Sequence, residues 1–159
     1  MSSDREMPPD FETNSVKAWT LVVGGKTPLV YFKVLGTHMP DEDLAQVFQF
    51  YREFATSNDY FFAAYDLALG LPNFVQLVPK LVFQCQAIKE LTRTRVRRSA
   101  ALCPSQLSRS VVRSVLSLAP SSAAFFVTAD NDELWTALTD GHGEECIKAN
   151  ECFGKEEAE

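Results

Sequence analysis

The sequence predicts an α/β fold: a mixed five-stranded sheet with an N-terminal hairpin and four helices packed on it. The first observation behind this prediction is the apolar run at residues 60–65 (YFFAAY), which ends at Asp66 and leads into the turn residues Gly70 and Asn73. Such a run is typical of a strand buried on both faces. The second observation is that helix-like and strand-like patterns alternate from there to residue 140, as they do where helices connect parallel strands. We therefore expect residues 60–65 to form the central strand.

The hairpin is predicted from two β-rich runs at residues 18–23 and 29–35, which Gly24 and Gly25 separate. Glycine adopts the positive φ angles that a tight turn requires. The same turn contains a Gly-Lys-Thr sequence that imitates the end of a phosphate-binding loop. A strand follows it where that loop needs a helix, and Thr20 stands where the loop needs a glycine. We therefore interpret it as a turn.

Four helices are predicted from apolar residues that recur at helical spacing. They begin near Asp41, Phe74, Ser105 and Asp130, and strands at residues 98–103 and 123–128 separate the later ones. Acidic residues in the first turn support the helix start at Asp41, and Ser105 is a suitable N-cap. Pro79 falls within the second helix, which it either kinks or restarts.

Length and composition indicate one globular domain. The chain has 159 residues, of which 46% are hydrophobic and 23% charged, so it can bury a sizeable core. We divide it into a flexible arm at residues 1–16, an α/β domain at 17–140 and an acidic tail at 141–159. The net charge of −6 argues against a broad nucleic-acid-binding surface.

The chain is expected to be soluble and cytoplasmic, and not to cross a membrane. No apolar run approaches the length of about 20 residues that a membrane-spanning helix needs. The N-terminal sequence is polar and acidic, unlike a secretory signal. Cys85 and Cys103 fall within apolar patterns, which suits reduced, buried thiols better than disulfides. No spacing of residues predicts a metal or a cofactor.

The order of elements resembles that of the STAS domain family, named for sulfate transporters and anti-sigma-factor antagonists. Three segments carry the likeness: residues 65–67 (YDL) at the end of the central strand, 98–103 (RSAALC) and 132–138 (DELWTAL). They point to the divergent members grouped with the sporulation anti-sigma antagonist. The resemblance covers residues 18–140, and it implies the topology ββαβαβαβα and a regulatory, protein-binding role.

The family's best-known members are switched by phosphorylation of a Ser or Thr in the loop after the central strand. Residues 60–91 contain neither Ser nor Thr, so the usual phosphoacceptor is absent. The resemblance then implies a scaffold that binds another protein, or a small or lipidic ligand. The hypothesis of a lipid ligand arises because some STAS-like proteins resemble CRAL-TRIO lipid-binding domains in architecture.

A non-catalytic protein-interaction or regulatory domain is the leading functional hypothesis. The predicted partner-binding site is the loop after the central strand, formed by Asp66, Leu67, Leu69, Gly70, Leu71 and Asn73. Leucines in a loop favour an interface, because exposed apolar side chains lower solubility unless a partner covers them.

A basic cluster follows the second helix and comprises Lys89, Arg93, Arg95, Arg97 and Arg98. Cations at a helix C-terminus complement its dipole, which accounts for part of the cluster. The remainder predicts a patch for an acidic partner, the chain's own acidic tail or an anionic lipid surface. One alternative function is accordingly a carrier of a lipid or other small ligand, with apolar helix residues lining a pocket.

The other alternative is an enzyme that uses Cys103 and Arg109. The segment at residues 103–110 has the C-x5-R-S spacing of cysteine phosphatases, in which a thiolate attacks and the arginine binds the phosphate. Against a phosphatase or sulfurtransferase, Pro104 removes a backbone donor from the loop, and no His precedes the cysteine. A buried cysteine at the end of a strand, followed by a helix cap, accounts for the same residues. We predict no catalytic set.

Overall fold

The computed structural model describes residues 7–71, 73–121, 123–140 and 145–147 of the chain. Its strands are β1 (Phe11–Glu12), β2 (Val16–Val23), β3 (Thr27–Val34), β4 (Phe61–Asp66), β5 (Val96–Leu102), β6 (Ala124–Thr128) and β7 (Glu145–Ile147). Its helices are α1 (Asp41–Ser57), α2 (Phe74–Ala87), α3 (Lys89–Thr92), α4 (Gln106–Leu118) and α5 (Asn131–Asp140).

The described strands form one mixed sheet, in which the seven strands lie side by side in the order of the chain. The pairs β1–β2, β2–β3 and β6–β7 are antiparallel, and β3 to β6 are parallel. The α/β class and the N-terminal hairpin are therefore confirmed. In the hairpin turn, Gly24 and Gly25 have φ angles of +63° and +78°. β4 occupies the middle of the sheet, as the sequence predicts.

The described residues contain two strands and one helix beyond the predicted set. β1 and β7 are edge strands of 2 and 3 residues, and α3 has 4 residues. Elements this short contain too few residues to show a period in the sequence. β1 lies within the segment predicted as an arm, whereas residues 141–144 and 148–159 of the predicted tail are outside the described residues. α2 runs without interruption through Pro79.

Three helices, α1, α2 and α4, pack on one face of the sheet, which we call the three-helix face. Here Phe32 of β3 and Ala101 of β5 belong to one apolar core with Phe48 and Tyr51 of α1 and Leu77 of α2. Residues of α1 at this core are spaced by three or four positions, which places them on one side of the helix.

A single helix, α5, packs on the opposite face, which we call the α5 face. Side chains alternate along each strand, so the neighbours of the residues just named point here. Ala64 of β4 and Ala100 of β5 pack with Leu134, Ala137 and Leu138 of α5, and all five are completely buried. The sheet thus separates two apolar cores.

Candidate functional site

An apolar cavity of about 180 Å³ lies on the three-helix face, between the sheet and the helices α1, α2 and α4. Its walls include Phe32, Phe48, Leu71, Leu77, Ala101 and Val112. Ala101 of β5 has the smallest side chain among these walls. The polar side chains among the described walls are Tyr51, Tyr65 and Cys85.

A second cavity of about 270 Å³ adjoins the first at the amino ends of β5 and β6. The two cavities share the walls formed by Tyr51, Tyr65, Cys85, Leu116 and Phe125. The second cavity also has polar and cationic walls, which include Gln86, Lys89, Thr92, Arg93, Ser99 and Ser121. An apolar cavity and a polar, basic cavity are therefore neighbours separated by shared side chains.

The Tyr51 and Tyr65 side chains meet where the two cavities join. The Tyr65 hydroxyl donates to the Tyr51 hydroxyl over 3.5 Å, which is long for a hydrogen bond between hydroxyl groups. Burial raises the pKa of Tyr51 to about 12 and raises the pKa of Tyr65 well above its ordinary value. Burial also raises the pKa of the Cys85 thiol to about 11. All three groups keep their protons at neutral pH, so none is a ready base or nucleophile.

The leucines of the predicted partner-binding loop differ in burial. Leu67 is buried, Leu71 is half-buried against the core of the three-helix face, and both line the apolar cavity. Leu69 is 58% exposed. Gly70 has a φ angle of +99°, and Gly36 lies so close to the carbonyl oxygen of Leu69 that a Cβ at Gly36 would come within 2.8 Å of it.

Two polar residues of the same predicted set have structural contacts. The buried Asp66 carboxylate accepts hydrogen bonds from the Tyr31 hydroxyl at 2.7 Å and from the Ala68 backbone N–H at 3.0 Å. It faces a shallow depression of about 320 Å³ on the α5 face, opposite the apolar cavity. The Asn73 Oδ1 atom accepts from the Met39 backbone N–H at 3.3 Å.

The predicted basic cluster does not form one patch. The Arg95 guanidinium donates to the carbonyl oxygens of Ala55 and Asn58 at 2.9 and 3.1 Å, at the C-terminus of α1. The Arg98 guanidinium donates to the Leu138 carbonyl oxygen at 2.6 Å, near the C-terminus of α5. These two arginines donate to carbonyl groups at the C-terminal ends of helices, where a cation complements the helix dipole.

The other three members of the basic cluster separate into two groups. Lys89 and Arg93 line the second cavity, and Arg93 also pairs with Glu90 at 3.1 Å. Arg97 lies over the Tyr60 ring at 4.8 Å from its centre. Only Lys89 and Arg93 are therefore placed where a ligand in the cavities could meet them.

Cys103 and Arg109 have the arrangement of a strand end followed by a helix cap. Cys103 is completely buried, and the Arg109 Nε–H donates to its backbone carbonyl oxygen at 3.1 Å. The Ser105 hydroxyl accepts from the Ser108 backbone N–H at 3.1 Å, which caps α4. This geometry lends no support to a thiolate nucleophile in an open anion-binding loop.

Sequence reasoning missed the Tyr51–Tyr65 pair. Tyr51 lies in the apolar stripe of α1 and Tyr65 in the apolar run of β4, and each reads as an ordinary core residue. Their hydroxyl groups meet because α1 crosses the sheet above β4, which the sequence does not state. Buried tyrosines usually pair their hydroxyl groups, so two tyrosines in predicted core positions were the available signal.

Comparisons with family models, curated proteins and solved structures returned no match. None of the described helices is both long enough and apolar enough to cross a membrane.

Proposed function

We propose that this protein is a non-catalytic carrier or sensor of a small apolar ligand, which it holds in the cavity beneath α1, α2 and α4. The observation that carries the proposal is an almost wholly apolar cavity of about 180 Å³ inside the three-helix core. Protein interiors ordinarily contain few voids larger than a water molecule. Apolar walls also offer water few hydrogen bonds, which favours an apolar occupant.

Energetics support an occupant as well. A cavity left by truncated core side chains destabilises a protein by about 24 cal/mol per Å³. The cavity here is partly open, so leaving it empty is expected to be unfavourable but less costly than a closed void of the same volume. A ligand that filled the cavity would recover part of this free energy.

The chemistry of the cavity favours binding over catalysis. Its polar groups are two phenols and one thiol, and burial raises the pKa of each above its ordinary value. Groups that hold their protons at neutral pH can donate hydrogen bonds but do not serve as bases. The sequence-based expectation of a domain without a catalytic set is part of this proposal.

The test is retention of an apolar ligand by a variant in which the cavity is filled. Cys85→Phe places a ring at the junction of the two cavities, and Phe83→Ala, on the exposed side of the same helix, is the matched control. The probe is an environment-sensitive fluorophore that carries a short alkyl chain, and its emission rises when the chain enters an apolar site. We expect wild type and Phe83→Ala to raise this emission and Cys85→Phe to lose the response. Equal probe binding by a folded Cys85→Phe, or no binding by wild type, would overturn the proposal.

A second candidate function is a protein-interaction domain of STAS-like type. Leu69, Val75 and Phe83 are 58%, 73% and 68% exposed, on the loop after β4 and on α2. Large apolar side chains at a surface favour a partner. This candidate predicts that Leu69→Asp with Phe83→Asp abolishes capture of a stoichiometric partner from native extract while the melting temperature stays unchanged. Capture that survives both substitutions would exclude this surface.

A further inference from the structure

The Tyr51 hydroxyl can donate one hydrogen bond that no described residue accepts. The Tyr51 hydroxyl accepts a hydrogen bond from the Tyr65 hydroxyl. This bond uses the proton of Tyr65, so the proton of Tyr51 can still be donated to another group. No other hydrogen bond of the Tyr51 side chain occurs among the described residues. Tyr51 is only 7% exposed, so bulk water does not readily supply the missing partner. A buried donor without an acceptor is unfavourable.

The aromatic rings around Tyr51 provide no acceptor, and the described polar walls of the second cavity, such as Gln86 and Ser99, form no hydrogen bond with it. Its ring contacts those of Phe32, Phe48 and Phe61, with centres separated by 5.7, 6.3 and 6.0 Å. None of these side chains has a polar atom. The proton of Tyr51 is thus available to a group that occupies the cavities, both of which Tyr51 lines.

The acceptor that suits this position is uncharged. The described walls of the apolar cavity include no Lys or Arg, so on this side of Tyr51 an anion would be buried without a counter-charge, whereas Lys89 and Arg93 border the second cavity. A carbonyl oxygen accepts a hydrogen bond and carries no net charge. It is therefore the simplest group that satisfies Tyr51 without a large desolvation penalty.

The positions of the two cavities indicate which chemical groups lie on either side of this acceptor in a ligand that occupies both. On one side of Tyr51 the walls are apolar, and on the other side Lys89 and Arg93 border the space. A ligand that matches both sides has an apolar chain, then a carbonyl group, then an anionic end. Acyl lipids with a phosphate or similar polar end have this order of groups.

We propose that Tyr51 donates a hydrogen bond to the carbonyl oxygen of an acyl lipid, whose chain fills the apolar cavity and whose anionic end lies near Lys89 and Arg93. This inference rests on the proposed function, and it narrows the ligand from any small apolar molecule to an acyl amphiphile. Tyr51 is then the residue that distinguishes an acyl chain from a plain alkyl chain of the same length.

A pair of short-chain probes, chosen to match a cavity of about 180 Å³, tests this inference: 1-hexanoyl-glycerol-3-phosphate and its 1-hexyl ether analogue, which lacks the carbonyl group. We expect the wild-type protein to bind the acyl probe about five- to tenfold more tightly, which is the usual effect of one hydrogen bond. Tyr51→Phe should remove this preference and leave the affinity for the ether probe unchanged. Tyr60→Phe, which removes a more exposed phenol outside the cavities, is the matched control and should keep the preference.

The outcomes separate this inference from the proposed function. An acyl preference that persists in Tyr51→Phe, or equal binding of both probes by wild type, would overturn the role of Tyr51 and leave an apolar ligand in place. Failure of wild type to bind either probe, together with an alkyl-probe response that Cys85→Phe abolishes, would overturn only the acyl amphiphile. Failure of all probes would overturn both. Retained affinity of Tyr51→Phe for the ether probe shows that the variant is folded.

Discussion

The two faces of the sheet are both covered by helices, but one core is closely packed and the other contains a cavity. On the α5 face, one helix of 10 residues lies directly on Ala64 and Ala100, and its Leu134 and Leu138 are completely buried. On the three-helix face, longer helices and many aromatic rings leave a cavity of about 180 Å³. The contrast shows that longer helices and many aromatic rings do not by themselves fill a core.

The alanines of the sheet illustrate this difference. Ala100 and Ala101 are neighbours in β5, both are completely buried, and their side chains point to opposite faces. Above Ala100, the small side chain lets α5 approach closely. Ala101 belongs to the core of the three-helix face and is one wall of the cavity there. The same residue type thus lies in a closely packed core on one face and beside a cavity on the other.

Alkaline pH is expected to lower the free energy of unfolding through the buried tyrosines of the three-helix face. Burial raises the pKa of Tyr51 from 10.0 to about 12, so between these values the unfolded chain loses a proton that the folded chain retains. Stability from this group is complete below pH 10 and falls as pH rises towards 12, by roughly 3 kcal/mol in all. Urea unfolding of wild type and Tyr51→Phe at pH 8 to 12 measures it. An equally steep loss in Tyr51→Phe would show that other groups dominate.

Enlarging the two alanines directly tests the contrast between the faces. Ala100→Leu should destabilise the fold by about 1–3 kcal/mol, because overpacking a filled core displaces its neighbours. Ala101→Leu should cost less than about 1 kcal/mol, because its added methyl groups enter the cavity. Chemical denaturation compares them, and Ala101→Leu should also weaken the alkyl-probe response. Equal losses of stability in the two variants would mean that the cavity cannot accept the leucine.

The local parts of this structure could be predicted from sequence, because they depend on neighbouring residues. Glycines between two β-rich runs indicated the hairpin, and the apolar run before Asp66 indicated the central strand. β1 and β7 could not be predicted, since strands of 2 and 3 residues have no measurable alternation and exist only through pairing with β2 and β6. The candidate site was harder still. The loop leucines were expected at a surface, yet Leu67 and Leu71 line the cavity.

The sequence by itself determined the α/β class, the hairpin and the order of the main elements, because periodicity and turn residues act over a few positions of the chain. Only the tertiary structure decided that the hydroxyl groups of Tyr51 and Tyr65 meet, that Lys89 and Arg93 border their cavity, and that Arg95 and Arg98 instead cap helices. Those outcomes depend on which helix crosses which strand and at what distance. That is a property of the packed chain, and no short segment of the sequence contains it.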